Sequence, residues 1–263
     1  MILALDLDDT LLRTDKTIGE RTRQALRRWL AAGHEVIVAT GRPPRWVHSV
    51  LPPELHSAPR VVYNGAQVIV GDTVVYRNEI APADVRTVVE WTLGCCPDWH
   101  VGLEIEDELY LNRPSPKGGT YTVADLLSLC ERPAAKIIFL FGEQREDLAP
   151  LLGALPATTR ALITPKFSMV QLCGSTTSKA DAIAHLLAQR GLSFASVAAI
   201  GDDVNDVEML RCAGIGIAVD NALDEVKTAA DWVTAAADDD GVAAAIERLL
   251  ELNHVSTQPI LKP

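Results

Sequence analysis

The chain lacks most of the features that would place it in a specialised class. No apolar run approaches the roughly 20 residues that a membrane-spanning helix needs. Positive charge is scarce: 24 Lys and Arg stand against 35 Asp and Glu, a net charge of −11. That balance argues against nucleic acid or a membrane surface as partner. It leaves room for a small anionic substrate, because local positive charge in a site outweighs net charge at short range. No basic stretch precedes the apolar N-terminal residues, so no signal peptide is expected there. The five cysteines, Cys95, Cys96, Cys130, Cys173 and Cys212, are odd in number and form no CxxC pair. They read as reduced, mostly buried small hydrophobes of a cytoplasmic protein. His34, His48, His56, His100, His185 and His254 show no metal-ligand spacing and read as structural or surface groups. No solenoid-type repeat is evident.

What is present is ordinary in bulk and unusual at one point. With 263 residues, 48% hydrophobic and 22% charged, the chain can bury one large core or two smaller ones. The unusual point is the start, where the strand-like run Met1-Ile-Leu-Ala-Leu5 ends in Asp6-Leu7-Asp8-Asp9-Thr10. Period 2 along a strand puts Asp6 and Asp8 on one side, where two carboxylates repel one another. A hard cation bound through oxygen would hold such a pair. Turn residues and caps would leave the same letters, so the rest of the chain has to decide.

Thr17 with Glu20 reads as a capping box opening a helix through Ile18, Ala25, Leu26, Trp29 and Leu30, stopped by Gly33. Strands follow from Glu35 to Ala39 and from Val61 to Tyr63, then a hairpin around Gly71-Asp72. Residues 82–175 change character. Helices are expected from Pro82 to Leu93, Tyr121 to Leu129 and Arg145 to Leu155. Short strands are expected from Val101, Leu109, Lys136, Ala161 and Met169. The loop from Asn112 to Gly119 belongs to this region. From Thr176 the α/β rhythm returns: a helix from Ser178 to Gln189, a buried strand from Ser196 to Ile200, and a helix from Val204 to Cys212. Gly214 to Val219 and Trp232 to Thr234 read as strands, Ala222 to Ala229 and Gly241 to Leu250 as helices. Ala235 to Asp240 reads as an acidic loop and Asn253 to Pro263 as a loose tail. The expected fold is α/β: a doubly wound parallel-sheet (Rossmann-like) core from residues 1–81 and 176–263, with an inserted α+β domain at 82–175.

Polar residues stand at the ends of the core elements: Asp6, Asp8 and Thr10, then Thr40, then Lys179, then Gly201-Asp202-Asp203-Val204-Asn205-Asp206. In a parallel sheet these strand ends converge on one crevice. Asp6 and Asp202 would supply anionic oxygens to a small hard cation, Mg²⁺. Thr40 offers a hydroxyl donor. Lys179 brings a compact positive charge that offsets carboxylates and attracts phosphate. Its place at a helix start opposes the helix dipole, a local conflict that favours a functional role. Such a site suits phosphoryl transfer.

These four motifs, in this order, resemble those of haloacid dehalogenase superfamily phosphatases. The match is closest to the Cof-type branch, whose cap is inserted between the second and third motifs. Val38-Ala-Thr40-Gly41-Arg42, Tyr63-Asn64-Gly65-Ala66 and Gly214-Ile-Gly-Ile-Ala-Val219 with Asn221-Ala222 are typical of that branch. The resemblance implies that Asp6 is the nucleophile and Asp8 the general acid and base. It implies a Mg²⁺ site of Asp6, the Asp8 backbone carbonyl and Asp202, with phosphoryl oxygens on Thr40 and Lys179. Thr10, Gly41, Arg42, Asn64, Gly65 and Asn205 would line the phosphate and substrate. Asp203 and Asp206 would orient Lys179 and metal waters, unless they are plain helix caps. Two positions depart from the branch, Ala180 and Asp220, where Gly is usual.

The expected activity is hydrolysis of a small phosphorylated metabolite, a sugar or cofactor phosphate, by a monomer or homodimer. A phosphotransferase or mutase would use the same intermediate. A phospho-accepting receiver module would lack Asp8 and the insertion. Within the insertion, Trp91, Trp99 and Tyr121 read as core. Lys136 and Arg113 are candidates to reach an anionic substrate, although a solvated charge is the commoner fate.

Overall fold

Four consecutive buried apolar residues, Ile2–Leu5, can be shielded on both faces only inside a sheet covered by helices, and the computed structural model places them there. The structure describes residues 1–115, 118–141, 147–164 and 169–256. The first part of the chain forms β1 (Ile2–Leu5), α1 (Glu20–Ala31), β2 (Glu35–Ala39), β3 (Arg60–Val62), β4 (Gln67–Val70) and β5 (Thr73–Arg77). The insertion follows with α2 (Pro82–Cys95), β6 (His100–Ile105), β7 (Glu108–Leu111), β8 (Thr122–Val123), β9 (Lys136–Leu140), α3 (Ala149–Ala154), β10 (Thr159–Thr164) and β11 (Met169–Gly174). The last part forms α4 (Lys179–Ala188), β12 (Val197–Gly201), α5 (Val207–Cys212), β13 (Ile215–Ala218), α6 (Asp224–Ala229), β14 (Trp232–Val233) and α7 (Gly241–Ser256).

The core sheet has the order β14-β13-β12-β1-β2-β3-β4-β5. It is parallel from β14 to β3 and ends in the antiparallel β3-β4-β5 ribbon. The register decides where the chemistry falls. Leu5 pairs with Ile200 on β12 and with Val38 on β2. The residues just beyond these, Asp6, Gly201-Asp202 and Ala39-Thr40, therefore emerge side by side at one sheet edge.

The insertion builds a second sheet, β10-β11-β9-β6-β7-β8, antiparallel except for the β7–β8 pair. It has its own apolar core, in which Ile137 and Phe139 pack with Val88, Val89 and Leu103. Entry and exit of the insertion are tied together: Asn78 Nδ2 donates to Thr176 Oγ1 (3.1 Å), and Thr177 Oγ1 to the Asn78 carbonyl (2.8 Å).

Several local expectations need correction. Helix α1 is capped at Gly19, not Thr17, because Thr17 spends its amide and hydroxyl on Asp15 Oδ1 in a tight turn. No α-helix runs from Tyr121 to Leu129. Thr122–Val123 pair with β7 instead, and Asp125 caps a single 3₁₀ turn at Leu126–Leu129. The segment from Val204 opens with a 3₁₀ turn, Val204–Asp206, before α5. Helix α7 runs on to Ser256, through the start of the expected tail. The tail beyond Ser256, the beginning of the helix expected from Arg145 and part of the loop from Asn112 to Gly119 lie outside the described residues. All five cysteines are free, but only Cys130 and Cys173 are buried. No helix among the described residues is long and apolar enough to cross a membrane.

Candidate active site

At the carboxyl edge of the core sheet, under the second sheet, lies a cavity of about 700 Å³. Asp6, Asp8, Thr40, Gly41, Arg42, Asn64, Asp202, Asp203 and Asn205 line it, so the core motifs meet as expected. Thr10, Gly65, Lys179 and Asp206 are not among the residues at its surface. Carboxylate oxygens of Asp6, Asp202 and Asp206 lie within 4.8 Å of one another.

Lys179 is buried at the start of α4, whose N-cap is Ser178. Its Nζ donates to Asp6 Oδ1 at 2.6 Å and to Asp206 Oδ1 at 2.7 Å. Burial opposes its charge, yet Asp206 and Asp6 more than compensate and raise its pKa. Asp206 has both of its oxygens committed, Oδ1 to Lys179 and Oδ2 to the amides of Asp202 (3.1 Å) and Asp203 (3.2 Å). It is therefore a cap and an orienting group at once, and its place in the acidic cluster is as a holder of Lys179. Thr10 Oγ1 donates to Asp202 Oδ1 at 2.9 Å.

The two remaining carboxylates fit a hard divalent cation. Burial first, then the negative charges of Asp206 and Asp202, raises the Asp6 carboxyl well above its ordinary value. Burial and Asp206 push the Asp202 carboxyl up to about 7. A bound cation would remove that penalty, and an all-oxygen donor set is the chemistry such ions take. Lys179 engages Asp6 through Oδ1 alone, and no hydrogen bond among the described residues engages Oδ2.

Asp8 stands differently. Arg42 grips it with two hydrogen bonds of 2.7 Å, and Lys16 adds a third at 3.0 Å. Burial would raise its carboxyl, but Arg42 and then Lys16 hold it below the ordinary carboxylate range. Thr40 Oγ1 accepts the Arg42 amide (3.1 Å), which leaves the hydroxyl proton for a ligand. Asn64 Oδ1 accepts from Asn205 Nδ2 at 2.8 Å, while Asn205 Oδ1 is buried without a hydrogen-bond partner among the described residues. Gly65 owes its identity to packing: its φ is +104°, and a Cβ there would sit 2.0 Å from the Ser178 carbonyl that precedes Lys179.

Outside this set, Asn221 bridges the loops, donating to the Asp9 carbonyl (2.7 Å) and accepting from the Ala237 amide (2.8 Å). Asp220 is exposed and does not line the cavity; Ala180 is buried in the first turn of α4. Trp91 and Trp99 pack on the insertion's main core, and Tyr121 on a smaller cluster. Arg113 is turned away, onto the carbonyls of Pro97 and Asp98. Lys136 does reach the cavity, with Gln171, Leu162 and Met169 from the same sheet. Lys16, Trp46 and Gln171 carry no readable motif, and sequence reasoning passes over them.

This arrangement is that of a phosphoryl-transfer hydrolase whose cap is inserted into its core. The chain belongs to the haloacid dehalogenase-like hydrolase family, whose description matches residues 3–246, and it is a phosphatase of the branch with the cap between the second and third core motifs. It is 28% identical to the 5-amino-6-(5-phospho-D-ribitylamino)uracil phosphatase YitU of Bacillus subtilis, over 95% of this chain and 98% of that protein. It is 26% identical to a phosphoglycolate phosphatase of Methanoculleus marisnigri, over 94% of this chain and 95% of that one. Its structure is similar to that of the phosphatase BT1666 from Bacteroides thetaiotaomicron, with a TM-score of 0.82, 25% identity and 94% of each chain covered.

Proposed function

We propose that the protein is a Mg²⁺-dependent phosphatase of a small phosphorylated metabolite, a sugar or cofactor phosphate, working through an aspartyl-phosphate on Asp6. The observation that carries this reading is Asp6 on the cavity floor, with Lys179 locked on Oδ1 and Oδ2 left open. Oδ2 attacks phosphorus, the bond to the leaving oxygen breaks, and the phosphoryl group passes to Asp6. Asp8 protonates the leaving alcohol and later takes the proton of the attacking water. It can do so only when free of Arg42, and the phosphate dianion is the competing partner that draws Arg42 and Lys16 away. Thr40 and Lys179 hold the transferred oxygens. The cation would sit on Asp6, Asp202 and the Asp8 carbonyl, and would supply charge stabilisation to the phosphoryl oxygens. Residues 1–81 and 176–263 form the catalytic core and 82–175 the cap, in a cytoplasmic monomer or homodimer. Relatives that act on a ribityl phosphate and on phosphoglycolate support a small-metabolite substrate. The test is phosphate release from a panel of metabolite phosphates, with Mg²⁺ and with EDTA. No release from any member by a folded sample overturns the reading.

A further inference from the structure

Among the described residues three cations line the cavity, and two of them are paired. Lys16 lies on Asp8 and Asp9, and Arg42 on Asp8. The third, Lys136, comes from β9 of the second sheet and is only 7% exposed. Its Nζ donates to the Gly41 carbonyl and to Gln171 Oε1, both at 3.1 Å and both neutral, and lies 5.6 Å from the Tyr63 ring centre. Glu104 is its cross-strand neighbour. Both Glu104 oxygens are spent on Arg45, at 2.8 and 2.9 Å. No carboxylate of a described residue lies within ion-pair distance of Lys136 Nζ. An ammonium has three donors, and two are used.

A buried cation facing a cavity without an anion of its own is costly unless a ligand supplies one. The transferred phosphoryl group is not that ligand, since Lys179 and Thr40 already serve it. Lys136 is held from the cap sheet by Gln171 and rests on the Gly41 carbonyl, with no hydrogen bond or ion pair to Asp6 or Asp202 among the described residues. We propose that Lys136 and Gln171 form a leaving-group subsite for a second anion, so that the preferred substrate is a phosphate monoester that also carries a carboxylate or another phosphate. The proposal rests on the phosphatase reading and narrows its substrate class. Gln171 accepts one proton of Lys136 and offers its own amide protons to the same anion. Leu162 and Met169 exclude water beside it.

The test is calorimetric binding of matched pairs to the Asp6→Asn protein, which cannot turn them over. One pair is 3-phosphoglycerate and glycerol 3-phosphate, for the carboxylate. The other is fructose 1,6-bisphosphate and fructose 6-phosphate, for the second phosphate. In at least one pair, the member with the second anion is expected to bind tenfold or more tightly than the member that lacks it. Lys136→Met should collapse that ratio at least tenfold, and Lys136→Arg should keep part of it. Gln171→Glu, which places a carboxylate against the intact lysine, should also collapse it. No preference in either pair, or a preference that survives Lys136→Met and Gln171→Glu, overturns the proposal and leaves Lys136 a structural clasp on Gly41. Turnover of p-nitrophenyl phosphate by the unsubstituted protein with Mg²⁺ reports the phosphatase reading separately.

Discussion

The contact between Arg45 and Glu104 joins core to cap and lends itself to a quantitative test. Arg45 lies just beyond the second motif, and Glu104 on β6 of the cap. Their side chains are 17% and 3% exposed, so the weak energetics of surface pairs do not apply. Two charged hydrogen bonds link them, and Tyr63 Oη adds a longer one to Glu104 at 3.3 Å. Removing one partner of such a buried pair costs about 3–5 kcal/mol, because the other is left desolvated. Here Arg45 keeps the Asp107 carbonyl (2.8 Å) and Asp107 Oδ1 (3.2 Å), so Glu104→Leu should fall at the low end, about 3 kcal/mol. At ~2–4 °C per kcal/mol for a chain of this order, the melting temperature drops by roughly 6–12 °C. Arg45→Met should cost as much, since it strands Glu104 almost fully buried. The double variant removes both charges and fills the space with apolar atoms, which is often neutral. The cycle, followed by thermal unfolding, should therefore show about 6 kcal/mol of coupling, the two single losses together. Additivity within ~0.5 kcal/mol would refute the argument that desolvated charge, rather than lost packing, sets the cost.

Other outcomes follow from the same geometry. Asp6→Asn should abolish turnover by at least ~10³-fold while circular dichroism shows the fold retained, because Lys179 keeps Asp206; near wild-type rates would displace Asp6 as nucleophile. Mg²⁺ at a hundredfold excess over its dissociation constant should stabilise the protein by ~2.7 kcal/mol, seen as a rise in melting temperature that EDTA reverses. Asp202→Asn should erase that rise, and a rise that persists would move the metal site elsewhere. Gly65→Ala should destabilise by roughly 1–3 kcal/mol from its backbone conformation alone, plus the clash with the Ser178 carbonyl. A thermally silent alanine there would show that the turn before Lys179 can yield.

The core and its site were legible in the sequence for a topological reason. In a parallel sheet every strand delivers its carboxyl end to the same edge, so residues far apart in the chain meet without any pairing having to be guessed. Asp6, Thr40 and Asp202 needed only the recognition of three buried strands. Asp206 was legible by type alone: its spacing allowed a cap or an orienting group, and only the bond to Lys179 shows that one carboxylate does both. Helix starts were less readable. Thr17 and Glu20 have the letters of a capping box, but Asp15 lies close enough to take the Thr17 hydroxyl first.

The cap was hard to read because its contacts depend on antiparallel register between segments that carry no motif. In the sequence Lys136 is one of two candidates to reach an anionic substrate, against the commoner fate of a solvated charge, and Glu104 carries no signal. They become neighbours only because β6 pairs with β9 in one register, and a slip of one residue would put them on opposite faces. In the observed register Glu104 meets Arg45 from the core and is used up, while Lys136, beside it, reaches the cavity without an anion of its own. The same register that ties the cap down thus leaves the Lys136 charge at the cavity wall with no carboxylate of a described residue on it. If Lys136 takes a second anion of the substrate, as proposed, then strand pairing rather than any motif sets that preference.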